Sequence, residues 1–306
     1  MRTLDRRNQG DRARQGLFCR QRGMARAVAA CMGRGSGREG AEMNSLTRWR
    51  ALAFAVLAVA VAGRAPVHAA PEEIQVYTND FDPPGEGGLD LHVNDVPTGD
   101  PVPPYPGAES DTNRLRMTPE WSYSLDNHFE LGAYLPLTTL DDHGTYRLDG
   151  FKLRVKWLGA HPERGFYYGV NYEFGRVDHR LDINPWNNEV KLIYGVETDH
   201  WLIGGNTNFD FALSGPEKTP PQIEIDEKIG YKLKPDTMLG IETYNGVGAT
   251  NGFGQFGRSE QSSFLALDTR IGIMDLNIGI GRGYGSNPDH LILKTILSFP
   301  LKFRHP

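Results

Sequence analysis

Four Asp-His dipeptides are the densest offer of ligating or acid–base side chains in the chain: Asp142-His143, Asp178-His179, Asp199-His200 and Asp289-His290. Imidazole and carboxylate together suit a divalent ion or a proton relay. Adjacent residues seldom both reach one ion, however, and Asp is a common turn residue, so the pairs are expected to be turns. Gly279-Ile280-Gly281-Arg282-Gly283 imitates a phosphate-cradling loop but has no helix after it, and such glycines more readily make room for bulky neighbours or let a strand bend. Ser124 and His128 stand close enough to raise a lipase-type nucleophile and base, yet no Gly-x-Ser-x-Gly elbow occurs beyond residue 70. No catalytic residue, metal site or cofactor is therefore assigned.

A larger set of charged residues shares one parity along alternating segments. Arg114, Arg116, Lys152, Arg154 and Lys156 form a basic group, and Glu120, Glu130, Glu173 and Glu189 fall at the same inward parity. Glu197, Asp210, Glu224, Asp226, Glu242 and Asp268 continue the acidic side. Side chains that share a parity share a face of a sheet, so these residues are expected to line an interior. Two readings stay open: a polar pore with a transverse field, or a lumen closed by paired charges.

The elements that must position them are strands. In Phe166-Tyr167-Tyr168-Gly169-Val170-Asn171-Tyr172-Glu173-Phe174 the even positions are large and apolar or aromatic, which is the period of two that marks a strand. Twelve such segments are predicted, over about 88–96, 114–124, 129–138, 146–158, 165–177, 188–198, 201–213, 222–233, 237–247, 263–273, 275–284 and 290–299. Short links come after the even-numbered segments and longer ones, such as Pro97 to Asn113 and Gly248 to Ser262, after the odd. An even strand count with alternating short turns and long loops is the pattern of a transmembrane β-barrel rather than a soluble sandwich. Trp121, Tyr123, Phe129, Trp157, Phe166, Tyr168, Trp201, Tyr231 and Phe299 have outward parity near the short-turn end, where rings settle at a headgroup level. Glu227 breaks the pattern, and a bulge or a misregistered half-strand is expected there.

The chain has 306 residues, 39% hydrophobic and 23% charged, with only two cysteines, and its first 69 residues differ from the rest. Residues 1–42 hold ten Arg, no Lys and both cysteines, and read as a non-native upstream extension. Met43 opens a basic stretch, an apolar run from Ala51 to Gly63 and Val67-His68-Ala69, in the order of a signal peptide over 43–69. Residues 70–306 carry 20 basic against 34 acidic residues and no cysteine. That balance argues against nucleic acid, which needs a basic face, and suits an oxidising compartment. Residues 70–87 are expected to be a periplasmic lead-in or a plug, 88–301 the barrel and 302–306 a C-terminal tail.

Gly88-Leu89-Asp90-Leu91-His92-Val93-Asn94, Met117-Thr118-Pro119-Glu120-Trp121-Ser122-Tyr123, Glu130-Leu131-Gly132-Ala133-Tyr134-Leu135-Pro136-Leu137 and the Gly279–Gly283 stretch resemble a largely uncharacterised proteobacterial outer-membrane barrel family. That family is similar in turn to the transporters associated with the meta-pathway of phenol degradation. The resemblance implies an outer-membrane location and carries over no site residue. The expectation is thus an all-β, antiparallel barrel of about twelve strands in the bacterial outer membrane, passing or taking up small molecules. The alternatives are a structural or surface-interaction barrel with a sealed lumen and, third, a lipid-modifying enzyme. Expected partners are outer-membrane lipid, the barrel-assembly machinery and a small-molecule solute.

Overall fold

The computed structural model describes residues 73–302 except 142, 217–219 and 255–258. The upstream extension, the signal peptide and most of the tail lie outside the described residues. Alternation along the chain produces β1 (Gly87–Thr98), β2 (Arg114–Ser124), β3 (Phe129–Leu140), β4 (Tyr146–Ala160), β5 (Gly165–Val177), β6 (Trp186–Glu197) and β7 (Trp201–Ser214). The second half holds β8 (Gln222–Lys234), β9 (Thr237–Ala249), a two-residue β10 (Gly252–Phe253), β11 (Glu260–Ile271), β12 (Met274–Gly285) and β13 (Leu291–Leu301). Every pairing is antiparallel, each long strand pairs with its neighbour in sequence, and β1 pairs with β13. The sheet therefore closes as a twelve-stranded barrel with no free edge. Within the expected Gly248–Ser262 loop, β10 folds back on Gly248 and Ala249 of β9.

Burial alternates as the side-chain parity requires. On β5, Tyr167, Gly169, Asn171 and Glu173 are buried while Phe166, Tyr168 and Tyr172 are exposed. Trp121, Phe129, Trp201 and Tyr231 are exposed as well, and Tyr123, Trp157 and Phe299 are half-buried. A soluble protein does not leave a belt of Leu, Ile, Val and aromatic side chains uncovered from β2 round to β13. Hydrocarbon is the solvent that makes such a face stable.

The departures from regular pairing have local causes. Pro119 and Pro136 lack the N–H that a ladder needs, and the β2–β3 register shifts between the pairs Met117–Thr138 and Glu120–Tyr134, the stretch that holds both. The β3–β4 ladder shifts twice between Tyr134 and Thr138, and Leu137 pairs with Gly150 there. Gly150 has φ 144°, and a Cβ on it would overlap the carbonyl oxygen of Arg176. Gly150→Ala should therefore lower the unfolding free energy by roughly 1–3 kcal/mol, read as an earlier urea midpoint in micelles. An unchanged midpoint would mean the bulge relaxes without cost.

The expected irregularity at Glu227 is not where the sequence suggested. Register runs unbroken from Glu224 to Lys232, with Glu227 opposite Thr243, and the shifts fall at Ile223/Glu224 and Lys232/Lys234. Glu227 keeps its outward parity and accepts a hydrogen bond from the Thr243 hydroxyl at 3.4 Å. A single outward carboxylate beside a cross-strand hydroxyl costs less than moving Asp226 and Lys228 out of the interior, since slipping by one residue would invert the whole strand.

Candidate functional site: the occupied lumen

Between the turn at Pro83–Glu86 and residue 73 the chain runs into the barrel. Two hydrogen bonds join Gly85 and Glu86 to the Ser124 backbone at the short-turn rim, Gly85 N–H donating at 2.8 Å and Ser124 N–H at 3.0 Å. The Asp82 carboxylate accepts from the Ser122 hydroxyl at 3.0 Å. Deeper, Asn79 donates to Glu197 at 2.7 Å, and the Asp80 carbonyl accepts from Lys156 at 3.0 Å. Tyr77 is bound to Asn206 twice: its N–H donates to Oδ1 at 2.7 Å, and its carbonyl accepts from Nδ2 at 2.9 Å. At the inner end the Ile74 carbonyl accepts from Lys294 at 3.1 Å, and Glu73 accepts from the Tyr134 hydroxyl at 3.0 Å.

Extended backbone sends consecutive side chains to opposite sides, and this segment uses that to bridge the lumen. Val76 packs with Val96, Tyr244, Phe264 and Ile292 on the β1, β9, β11 and β13 side. Tyr77 packs with Leu158, Tyr167 and Ile193 on the β4–β6 side. Its hydroxyl shares a 2.5 Å hydrogen bond with that of Tyr134, and Lys191, Lys156 and Arg154 stand 4.5, 5.7 and 5.8 Å from its ring centre. Aromatic rings attract cations through their negative faces, so Tyr77 is a wedge seated among three positive charges.

Of the charged residues singled out in the sequence, Arg114, Arg116, Glu120, Lys152, Arg154, Lys156, Glu173 and Glu242 are buried and Asp210 and Asp268 half-buried, and they do not form one basic wall facing an acidic one. Arg154 donates to Glu120 and to Glu130, the latter at 2.8 Å, and Lys156 reaches Glu130 at 3.0 Å. Lys152 lies 3.9 Å from Glu173. Across the barrel Lys228 pairs with Glu242 at 3.1 Å and Asp268 at 2.8 Å, and Lys294 also binds Glu242. Asp210 stands opposite Glu189 across the β6–β7 ladder, and Lys191 reaches Glu189 at 3.3 Å. Cations and carboxylates are interleaved because each interior position is set by strand register, and register brings charges from different strands side by side.

Arg114 and Arg116 are turned toward the long-loop end. Arg116 binds Glu109, and Arg114 binds Asp111 and, at 3.2 Å, Asp289, so both hold the β1–β2 loop. That loop also stacks Tyr105 on His179 with ring centres 5.4 Å apart and donates the Tyr105 hydroxyl to the His179 carbonyl at 2.8 Å. Among the described members of the Asp-His pairs, Asp178 binds Arg180, Asp199 binds Arg164 and Asp289 binds Arg114. The Ser124 hydroxyl donates to Glu130 at 3.4 Å, while a His128 ring nitrogen lies 2.7 Å from the Leu158 carbonyl, so the two point to different partners. In the β2–β3 turn the N–H groups of His128 and Phe129 hold the Asp126 carboxyl below its ordinary range.

No family model matches the chain and no curated protein does. Among solved structures, an outer membrane channel from Pseudomonas putida F1 aligns with a TM-score of 0.52 at 12% identity, over 75% of this chain and all of that one (100%). The fold is that of an outer-membrane β-barrel. The KdgM porin aligns at 0.48 with 10% identity over 71% of this chain and 99% of its own, and the NanC porin at 0.46 with 10% identity over 70% and 100%.

Several residues of this outer-membrane barrel's interior were not singled out from sequence. Asn206, Tyr134, Tyr167 and Lys191 all contact the inserted segment or its seat. Gly195 and Gly204, paired across β6 and β7, lie against the Tyr167 hydroxyl where any Cβ would collide with it. Parity alone marks Asn206 and Asn208 as interior, and a pair of inward amides on one strand is a signal that could have been used.

Proposed function

We propose that the protein is an outer-membrane channel for small polar solutes whose short-turn half is closed by residues 73–86 and opened by their withdrawal. The observation that carries this reading is how the segment is held. Much of its contact is made by side-chain hydrogen bonds and cation–ring contacts from the wall, all of which water and a polar solute can replace. Barrel strands, by contrast, are locked by continuous backbone ladders. The short-turn end, where both barrel ends of the chain lie, is taken as periplasmic, and assembly is assigned to the barrel-assembly machinery. The resemblance of the strand motifs to the phenol-pathway transporters makes small organic molecules the first solutes to try.

Residues 70–306 contain no cysteine, so a reversible lock can be built in them. A Cβ on Gly204 would stand 3.6 Å from the Thr78 Cγ2 but would meet the Tyr167 hydroxyl, so the Thr78→Cys/Gly204→Cys disulfide is built in a Tyr167→Phe background, which removes that hydroxyl. Oxidised protein in a planar bilayer should fall to its lowest conductance, and reductant should restore the level of the Tyr167→Phe parent. Equal conductance in both redox states, with the crosslink confirmed by mass, overturns gating by this segment. The paired interior charges favour a second reading, a structural barrel with a sealed lumen, which requires that no channel be resolved with or without the segment.

A further inference from the structure

Asp90 and His92 are two residues apart on β1 and so share its interior face, and Glu120 stands directly opposite Asp90 on β2. One ligating atom of each lies within 4.8 Å of the others. His92 and Glu120 are almost fully buried, and Asp90, half-buried, is the more open member. His92 Nε2 and Glu120 Oε2 are 3.1 Å apart. Two ligands bonded at ~2.0 Å to one tetrahedral Zn²⁺ stand about 3.3 Å apart, so this edge already has the length that an ion needs.

A second observation points to a bound species. His92 Nδ1 is buried without a hydrogen-bond partner, and so is the hydroxyl oxygen of Thr118, which faces His92 across the β1–β2 ladder. Buried polar atoms are nearly always satisfied, and two beside one another at a candidate ligand set call for a polar guest and its bound water. Glu73 adds a third: its Oε1 has no partner, and its other oxygen is held by Tyr134, whose ring lies 6.1 Å from that of His92. Arg154 bears on the same corner but occupies only Glu120 Oε1, leaving Oε2 to act as a single-oxygen ligand.

We propose that Asp90, His92 and Glu120 bind one divalent transition-metal ion inside the barrel, fastening β1 to β2. One imidazole and two carboxylates are a donor set for Zn²⁺ and its first-row neighbours rather than for Ca²⁺, which takes oxygen alone. The site rests on the barrel wall and stands whether or not the lumen conducts.

The test uses untagged full-length protein folded in micelles, stripped with chelator and titrated with Zn²⁺ by calorimetry, with Co²⁺ absorption as a second readout. Wild type is expected to take one equivalent and to give a tetrahedral Co²⁺ band. His92→Gln and Asp90→Asn should each bind at least about ten-fold more weakly, with the heat-modifiable gel shift showing that the barrel is intact. Asp90→Asn carries the comparison if His92→Gln does not fold, since its side chain is the more open one. No stoichiometric binding to folded wild type, or binding unchanged in Asp90→Asn, overturns the site.

Discussion

Deleting residues 73–82 should convert a barrel of low, flickering conductance into one with a stable open level several-fold higher. The deletion removes Tyr77, Val76 and the whole inserted stretch, while Pro83–Glu86 and their backbone hydrogen bonds to Ser124 remain to seat the start of β1. Interior groups that the segment now satisfies, among them Asn206, Lys294 and Lys156, would turn to water instead, as a polar lumen allows. Single-channel recording under a salt gradient reads both the level and the ion preference. After the deletion the buried wall carboxylates equal the buried cations in number, and the half-buried Asp90, Asp210 and Asp268 tip the balance, so the opened pore should prefer cations. An unchanged, unresolved conductance after deletion would sink the transport reading and leave the sealed barrel.

Arg154→Met should be the most costly single change in the interior. Its guanidinium is shared by Glu120 and Glu130, and all three side chains are nearly fully buried, at 4%, 3% and 3% exposure. Removing one member of a buried pair strands the others, a loss of ~3–5 kcal/mol. Arg154→Met/Glu120→Gln should recover part of it, because Lys156 still compensates Glu130. Urea unfolding followed by tryptophan fluorescence gives both numbers. A loss below about 1 kcal/mol would show that the pair behaves as it would in water, and so that the interior is hydrated throughout.

The strand at 165–177 was legible in the sequence at both ends because nine successive residues alternate, and alternation is a local property of the chain. Leu140 and Ala160 were missed as strand ends because the last pairs form only against a partner strand. Glu227 was expected to distort β8 because sequence shows its outward parity but not Thr243 across the ladder. The Asp90–His92–Glu120 group was invisible for a related reason. Asp90 and His92 have one parity on one strand, but Glu120 joins them through pairing with a strand whose register no local pattern specifies.

By itself the sequence determined that the chain alternates with period two over twelve segments, that large apolar side chains take one parity and charges the other, and that long and short links alternate. Those properties depend on each residue and its nearest neighbours, and they suffice for a transmembrane barrel. Only the tertiary structure decided which interior cation meets which carboxylate, because that depends on the register of every ladder at once. It alone decided, too, that Ile74-Gln75-Val76-Tyr77 lie against interior residues of the wall rather than away from the barrel. Those four residues have the same composition in either place, and what holds them, Asn206, Lys294 and the tyrosines at 134 and 167, is brought together only when the barrel closes.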